Sequence, residues 1–159
     1  MALTNIKMNT QDAPSAKMAE CYITVNGRVI LMFCAKNAEF KVSKETGDVK
    51  VLGRVMTGKK ATGMEGSFTM TIIKVTDMFD KMVLDYAKTG KDTYFDAQVT
   101  SEDETSSIGR STKIYKNCII DGDVLLSMFD ADGEFIEQEI SGFFDSWEAP
   151  ESYKEPAGM

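Results

Sequence analysis

Over most of this chain the hydrophobic positions recur every second residue, the spacing of a half-buried β-strand. CYITVNGRVILMF (21–33) has two apolar runs around Asn26-Gly27. That pair tolerates the positive φ angles of a type I′ turn, so a hairpin is predicted. AEFKVSK (38–44) alternates with Phe40 and Val42 on one face, and Glu45-Thr46-Gly47 reads as a turn into DVKVL (48–52), where Val49 and Val51 keep the period. SFTMTIIKV (67–75) is rich in β-branched residues and sets Phe68, Met70 and Ile72 on one side. Further strands are predicted at TYFDAQV (93–99), STKIYKNCII (111–120), VLLSMF (124–129) and EFIEQEISGFFDSW (134–147). Phe95, Ala97 and Val99 share a face in the first of these, and Ile136, Ile140 and Phe144 in the last. SEDETSSIGR (101–110) is a polar loop, and DGD (121–123) and DADG (130–133) are turns.

The period changes once. Met78, Phe79, Met82, Val83 and Tyr86 fall at spacings of one, three and four, the apolar stripe of a helix ending near Lys88. Thr76 is placed to cap its start, Asp77 suits the first turn, and Gly90 suits the stop. Asp77, Lys81 and Asp85 lie on the opposite face.

GRVMTGKKATGMEG (53–66) has no such period and reads as a long glycine-bearing loop with Arg54, Lys59 and Lys60 against one acid, Glu65. Unstructured connections longer than about 12 residues are usually functional or disordered. The domain reading is a flexible N-terminal arm at 1–18, a single β domain at 19–150 and a C-terminal tail at 151–159. The fold class is mainly β: a sandwich or barrel of about eight strands with one flanking α-helix.

A chain of 159 residues holds one core. No run approaches the roughly 20 apolar residues of a membrane helix. The N-terminus lacks a secretory apolar region, and Ala2 stands where myristoylation needs Gly, so residence in the cytoplasm until assembly is expected. Cys21, Cys34 and Cys118 are odd in number and far apart, which suits reduced buried thiols better than disulfides or zinc. No histidine is present, which removes the commonest general base and most catalytic zinc sites.

Charge is divided along the chain. Residues 1–74 carry eleven Lys and Arg against six acids, a balance of +5; residues 75–159 carry seven against nineteen, a balance of −12. A solvated acidic face explains this, and so does a subunit whose two poles complement each other on neighbouring copies. A net acidic chain is poorly suited to gripping nucleic acid.

Local motifs carry no chemistry. Gly53–Lys60 has the glycines and lysine of a phosphate loop, but Lys60 stands where Ser or Thr must bind Mg²⁺, and Ala61-Thr62-Gly63 follows where a helix should start. Asp130–Gly133 suggests a calcium loop, but the register puts Met128 at the first ligand position. Glu137 and Glu139 share a strand face as an expected by-product of acidic composition. No catalytic, cofactor or metal residues are assigned, and no enzyme activity is expected.

VLGRVMTGKKATGMEGSFTMTIIKVTDMFD (51–80) resembles the tail tube proteins of PBSX-like phage elements. The likeness rests on Gly53, Arg54, Met56, Gly58, Lys60, Thr62, Gly63 and Gly66, on the Lys74-Val75-Thr76 strand end, and on the acidic closing stretch EQEISGFFDSWEAPE (137–151). It covers about the last two-thirds of the chain; the N-terminal arm departs from the pattern. The resemblance implies a structural subunit of a phage or contractile bacteriocin tail, assembled in the bacterial host cytoplasm as hexameric rings stacked into a tube. Its implied partners are further copies of itself, the tail sheath, the baseplate and the tape-measure protein. DNA would be passing cargo in a phage lumen, and neither a membrane nor a small-molecule substrate is implied. Within that frame Gly53, Arg54, Met56, Thr57, Gly58, Lys59, Lys60, Thr62, Gly63 and Gly66 are the expected intersubunit contact, and acids are expected to line the lumen. The residues alone leave a second reading open, a monomeric small β-barrel that binds a ligand or peptide.

Overall fold

Asn26 and Gly27 take φ angles of 51° and 80°, as a type I′ turn requires. They join strand β1 (Ala19–Val25) to β2 (Arg28–Leu31), with Val25 opposite Arg28. The computed structural model describes residues 10–13, 19–31, 35–73 and 77–155. Cys34, the Lys74-Val75-Thr76 strand end with its expected helix cap, and most of the N-terminal arm lie outside them. A single 3-10 turn, Thr10–Asp12, is described within that arm.

Next come β3 (Ala35–Val49), β4 (Gly58–Ile73), helix α1 (Met78–Thr89), β5 (Phe95–Glu102), β6 (Arg110–Asp121), β7 (Glu137–Phe144) and β8 (Ser146–Glu151). The eight strands form one antiparallel sheet in the order β2-β1-β5-β6-β7-β4-β3, with β8 paired on β6. Strand β6 makes the sheet fold over itself. Up to Cys118 it pairs with β5, and from Ile119 to Asp121 it pairs with β7. The change falls beside Asn117, which has φ 54° and donates its backbone N–H to Asp96 Oδ1 at 3.1 Å. An Asn tolerates that left-handed conformation better than most side chains.

Folding over brings two apolar faces together. Cys21 and Ile23 of β1, Phe95 and Ala97 of β5, and Tyr115 and Cys118 of β6 pack against Phe68, Met70 and Ile72 of β4 and Ile140 and Phe144 of β7. The predicted alternation in β4 and β5 is therefore the observed one. Fully burying a large apolar side chain is worth about 1.5–3 kcal/mol, so these side chains supply most of what holds the sheet closed.

Four expectations are corrected. Residues 45–47 do not turn: 38–44 and 48–52 belong largely to one strand, β3, which passes through this point with only a register shift between Glu45 and Thr46. VLLSMF (124–129) forms no strand, because β7 occupies the place beside the end of β6. The 134–147 stretch begins as a strand only at Glu137 and breaks at Asp145, so Ile136 is left exposed while Gln138 is wholly buried. In α1 only Phe79 and Met82 are buried; Val83 and Tyr86 face solvent. The helix stops at Gly90, whose φ of 74° lets its N–H return to the Tyr86 carbonyl at 2.8 Å.

Candidate functional site

The expected loop at 53–66 is the correction that matters most. Residues 58–66 are strand, paired with β3 from Val49↔Gly58 to Val42↔Gly66. The ladder reaches this far because β3 runs alongside it, a partner that a single stretch read alone does not reveal. Pairing of β4 with β7 begins only at Gly66↔Phe144. The eight residue steps from Gly58 to Gly66 therefore carry a two-stranded arm about 25 Å beyond the sheet. Its turn spans residues 50–57 and uses Gly53 at φ 81°, with the Arg54 N–H donated to the Val51 carbonyl at 3.2 Å.

The expected contact residues divide into two sets. Gly53, Arg54, Met56, Thr57, Lys59, Lys60, Thr62 and Gly63 are exposed along the arm, with Gly58 partly covered. Gly66 lies at the arm's root, where a Cβ would come within 2.4 Å of the Phe144 ring, so its lack of a side chain serves packing inside the subunit. Lys59 pairs with Asp48 across the two arm strands, whereas Arg54 and Lys60 form no ion pair among the described residues. Where a nucleotide loop would need a helix, Lys59 and Lys60 lie in a strand. Asp130 likewise spends a carboxylate oxygen on its own turn, accepting the Asp132 N–H at 3.0 Å.

The basic pattern led to the arm but missed its apolar tip. Leu52 and Val55 are fully exposed, Met56 nearly so, and Val51 and Met64 are more than half exposed. Two-residue alternation at Val49 and Val51 suggests a buried strand face, yet that face has no core to meet. The usable signal was crowding: Val51, Leu52, Val55 and Met56 surround Gly53 in a stretch too short to fold back on the domain. Between residues 49 and 64 the charges are Lys50, Arg54, Lys59 and Lys60, with no acid. Exposed apolar clusters of this kind, set among polar residues, mark interaction surfaces.

The remaining features serve the body. Arg110 Nε and Nη2 donate to the two Glu151 carboxylate oxygens at 2.5 and 2.7 Å, and Lys116 Nζ donates to Glu148 at 2.9 Å, fastening β8 to β6. Chain order persists into the expected tail, where the Lys154 N–H reaches the Ile108 carbonyl at 2.7 Å. Cys21 and Cys118 are free and buried.

Comparison with known proteins agrees with this arrangement. The model of the family described as phage tail tube protein matches residues 6–151. The phage-like element PBSX protein XkdM of Bacillus subtilis strain 168 is 35% identical over 116 residues, 73% of this chain and 78% of that one. YqbM of the same strain, an uncharacterised protein, is 34% identical over 119 residues, 75% of this chain and 80% of its own. Among solved structures, the tube-terminating cap of the anti-feeding prophage superposes with a TM-score of 0.66 at 13% identity, covering 94% of this chain and 98% of that one. The SPP1 tail tube superposes with a TM-score of 0.57 at 11% identity, covering 93% and 80%. At such identities the superpositions speak for the fold alone, while the family match and the PBSX relative speak for descent. This chain belongs to the phage tail tube protein family.

Proposed function

We propose that this chain is the repeating, non-enzymatic subunit of a phage or phage-like tail tube, closing into hexameric rings that stack through the arm of β3 and β4. One observation carries the stacking: an arm projecting about 25 Å past the sheet ends in an apolar, basic tip that nothing among the described residues covers. Free sheet edges support the ring. Strands β2 and β3 end the sheet order, and each has one side without a strand partner among the described residues. Such edges invite pairing with another chain, and a closed ring removes them.

The contact set is the exposed part of the expected one: Gly53, Arg54, Met56, Thr57, Gly58, Lys59, Lys60, Thr62 and Gly63, joined by Leu52 and Val55. Sheath, baseplate and tape-measure proteins are the further partners, and assembly takes place in the host cytoplasm. The lumen face is the polar side of β3, β4 and β7. There Glu39 lies opposite Thr69, Thr69 opposite Ser141, and Thr71 opposite Glu139. Lys41 shares this face and is ion-paired with Glu39 at 3.0 Å, so DNA phosphates meet hydroxyls, carboxylates and a cation already held by an acid, and a transiting genome would not stick.

Size-exclusion chromatography with light scattering, followed by negative-stain microscopy, tests this. Rings or tubes are expected of the wild type. The double variant Arg54→Glu with Lys60→Glu is expected to keep its circular dichroism and to lose stacking. A wild type that remains a lone subunit at high concentration overturns the proposal.

A further inference from the structure

A second exposed apolar segment lies at the opposite end of the molecule from the arm tip. Ile73 pairs with Glu137 while Gly66 pairs with Phe144. The connection entering β7, residues 123–136, therefore sits at the Ile73 end of the sheet, and the arm leaves from the Gly66 end. From Gly58 to Ile73 strand β4 alone spans roughly 50 Å. The tip of a chain and its own 123–136 segment are too far apart to meet.

The two surfaces match in character. Phe129 is fully exposed, Leu126 and Phe135 are more than half exposed, and Met128 and Ile136 are partly exposed. Asp123, Asp130, Asp132 and Glu134 lie in the same segment, and no Lys or Arg occurs between Lys116 and Lys154. The arm tip is the reverse: Leu52, Val55 and Met56 set among basic residues, with no acid from 49 to 64. Apolar contact supplies the attraction, and opposite charge around it sets register and excludes like ends. A buried side chain just past the segment ties it to β7. Gln138 Nε2 donates to the Leu125 carbonyl at 3.2 Å, while its buried Oε1 has no donor among the described residues.

We infer that residues 123–136 of one copy are the seat for the hairpin tip of the copy in the next ring, Leu52 and Val55 packing on Phe129 and Phe135 while Arg54 and Lys60 face the segment's carboxylates. This rests on the tube reading and names the partner surface of the arm. Because the contact joins two different surfaces at opposite ends of the subunit, it does not close on itself and propagates as an open stack.

Full-length protein carrying benzoylphenylalanine at position 55 is assembled from equal amounts of isotopically light and heavy subunits, irradiated, digested and analysed by mass spectrometry. Light-to-heavy crosslinks from the tip into peptides of 123–136 are expected. Tubes whose tip crosslinks fall on other segments overturn the inference and leave the tube reading standing, whereas a wild type that forms no polymer removes both. Charge reversal gives an independent arm. Asp130→Lys with Asp132→Lys and Glu134→Lys is expected to cut polymer yield at least tenfold, and adding Arg54→Glu and Lys60→Glu to the same chain should restore it. Polymerisation of the acid-reversed variant at the wild-type level also overturns the inference.

Discussion

Phe40 of β3 lies face to face with Tyr115 of β6, ring centroids 4.1 Å apart and planes 7° from parallel. The two strands are not neighbours, since β7 and β4 stand between them in the sheet. The contact therefore crosses the folded-over sheet and anchors the root of the arm to the body, with Phe68 5.7 Å and Phe144 6.3 Å from Phe40.

Removing that anchor should loosen the arm before it unfolds the domain. Phe40→Ala is expected to cost about 2–3 kcal/mol, below the full range for an enclosed Phe because Phe40 is only partly buried. Urea denaturation gives the loss, and amide exchange should accelerate first in residues 38–44. Exchange rising equally across β5 and β6 would contradict an anchoring role.

Gly66 makes a sharper test because the same residue is explained by packing here and was expected at an interface from sequence. A Cβ at Gly66 would stand 2.4 to 2.7 Å from three atoms of the Phe144 ring. Gly66→Ala should destabilise the domain by about 1–3 kcal/mol, the usual cost of overpacking. Adding Phe144→Leu should recover part of the loss, as expected of two groups in direct contact. If the second change brings no recovery in thermal denaturation, the clash is not the cause.

Alkaline pH should unfold the protein through its buried thiols. Burial pushes Cys21 from 9.0 up to about 11; burial first, then the neighbouring Asp96 carboxylate, pushes Cys118 up to about 12. Tyr115 is also raised, chiefly by burial. The folded state holds these protons after the unfolded chain has lost them. The stabilising contribution is thus complete below pH 9 and disappears as pH climbs through about 11 to 12. A tenfold change is worth about 1.4 kcal/mol, so Cys21 alone withdraws on the order of 2–3 kcal/mol across that range. Urea midpoints at pH 8, 9.5 and 11 should fall steeply for the wild type and less steeply for Cys21→Ala. Equal slopes would contradict this.

The clasp on β8 responds to acid instead. Hydrogen bonding from Arg110 holds the Glu151 carboxyl below the ordinary Glu range. Its contribution is present above the unfolded Glu value and is lost as pH falls through the depressed one. Glu151→Gln should leave the core intact and speed amide exchange in Ser146–Glu151, with little further change on acidification. Unaltered exchange in that strand would show the clasp to be dispensable.

The limits of sequence reading follow from the range of the interactions concerned. Period and turn chemistry are local, so Asn26-Gly27, the inward positions of β4 and β5, and the Gly90 stop were legible from the residues. Partnership is not local. Gly58–Gly66 has a glycine-rich, aperiodic sequence and becomes strand because Val42–Val49 lies alongside it. VLLSMF has a good strand sequence and stays irregular because β7 holds the place beside β6. A backbone hydrogen-bond ladder needs a neighbour brought from elsewhere in the chain, and only the closed fold chooses it. Local residue order dictated what each segment could become and where charge and apolar surface would gather. The tertiary structure decided which strands met, which apolar residues were left facing water, and that the basic tip and the acidic segment stand at opposite ends of one subunit.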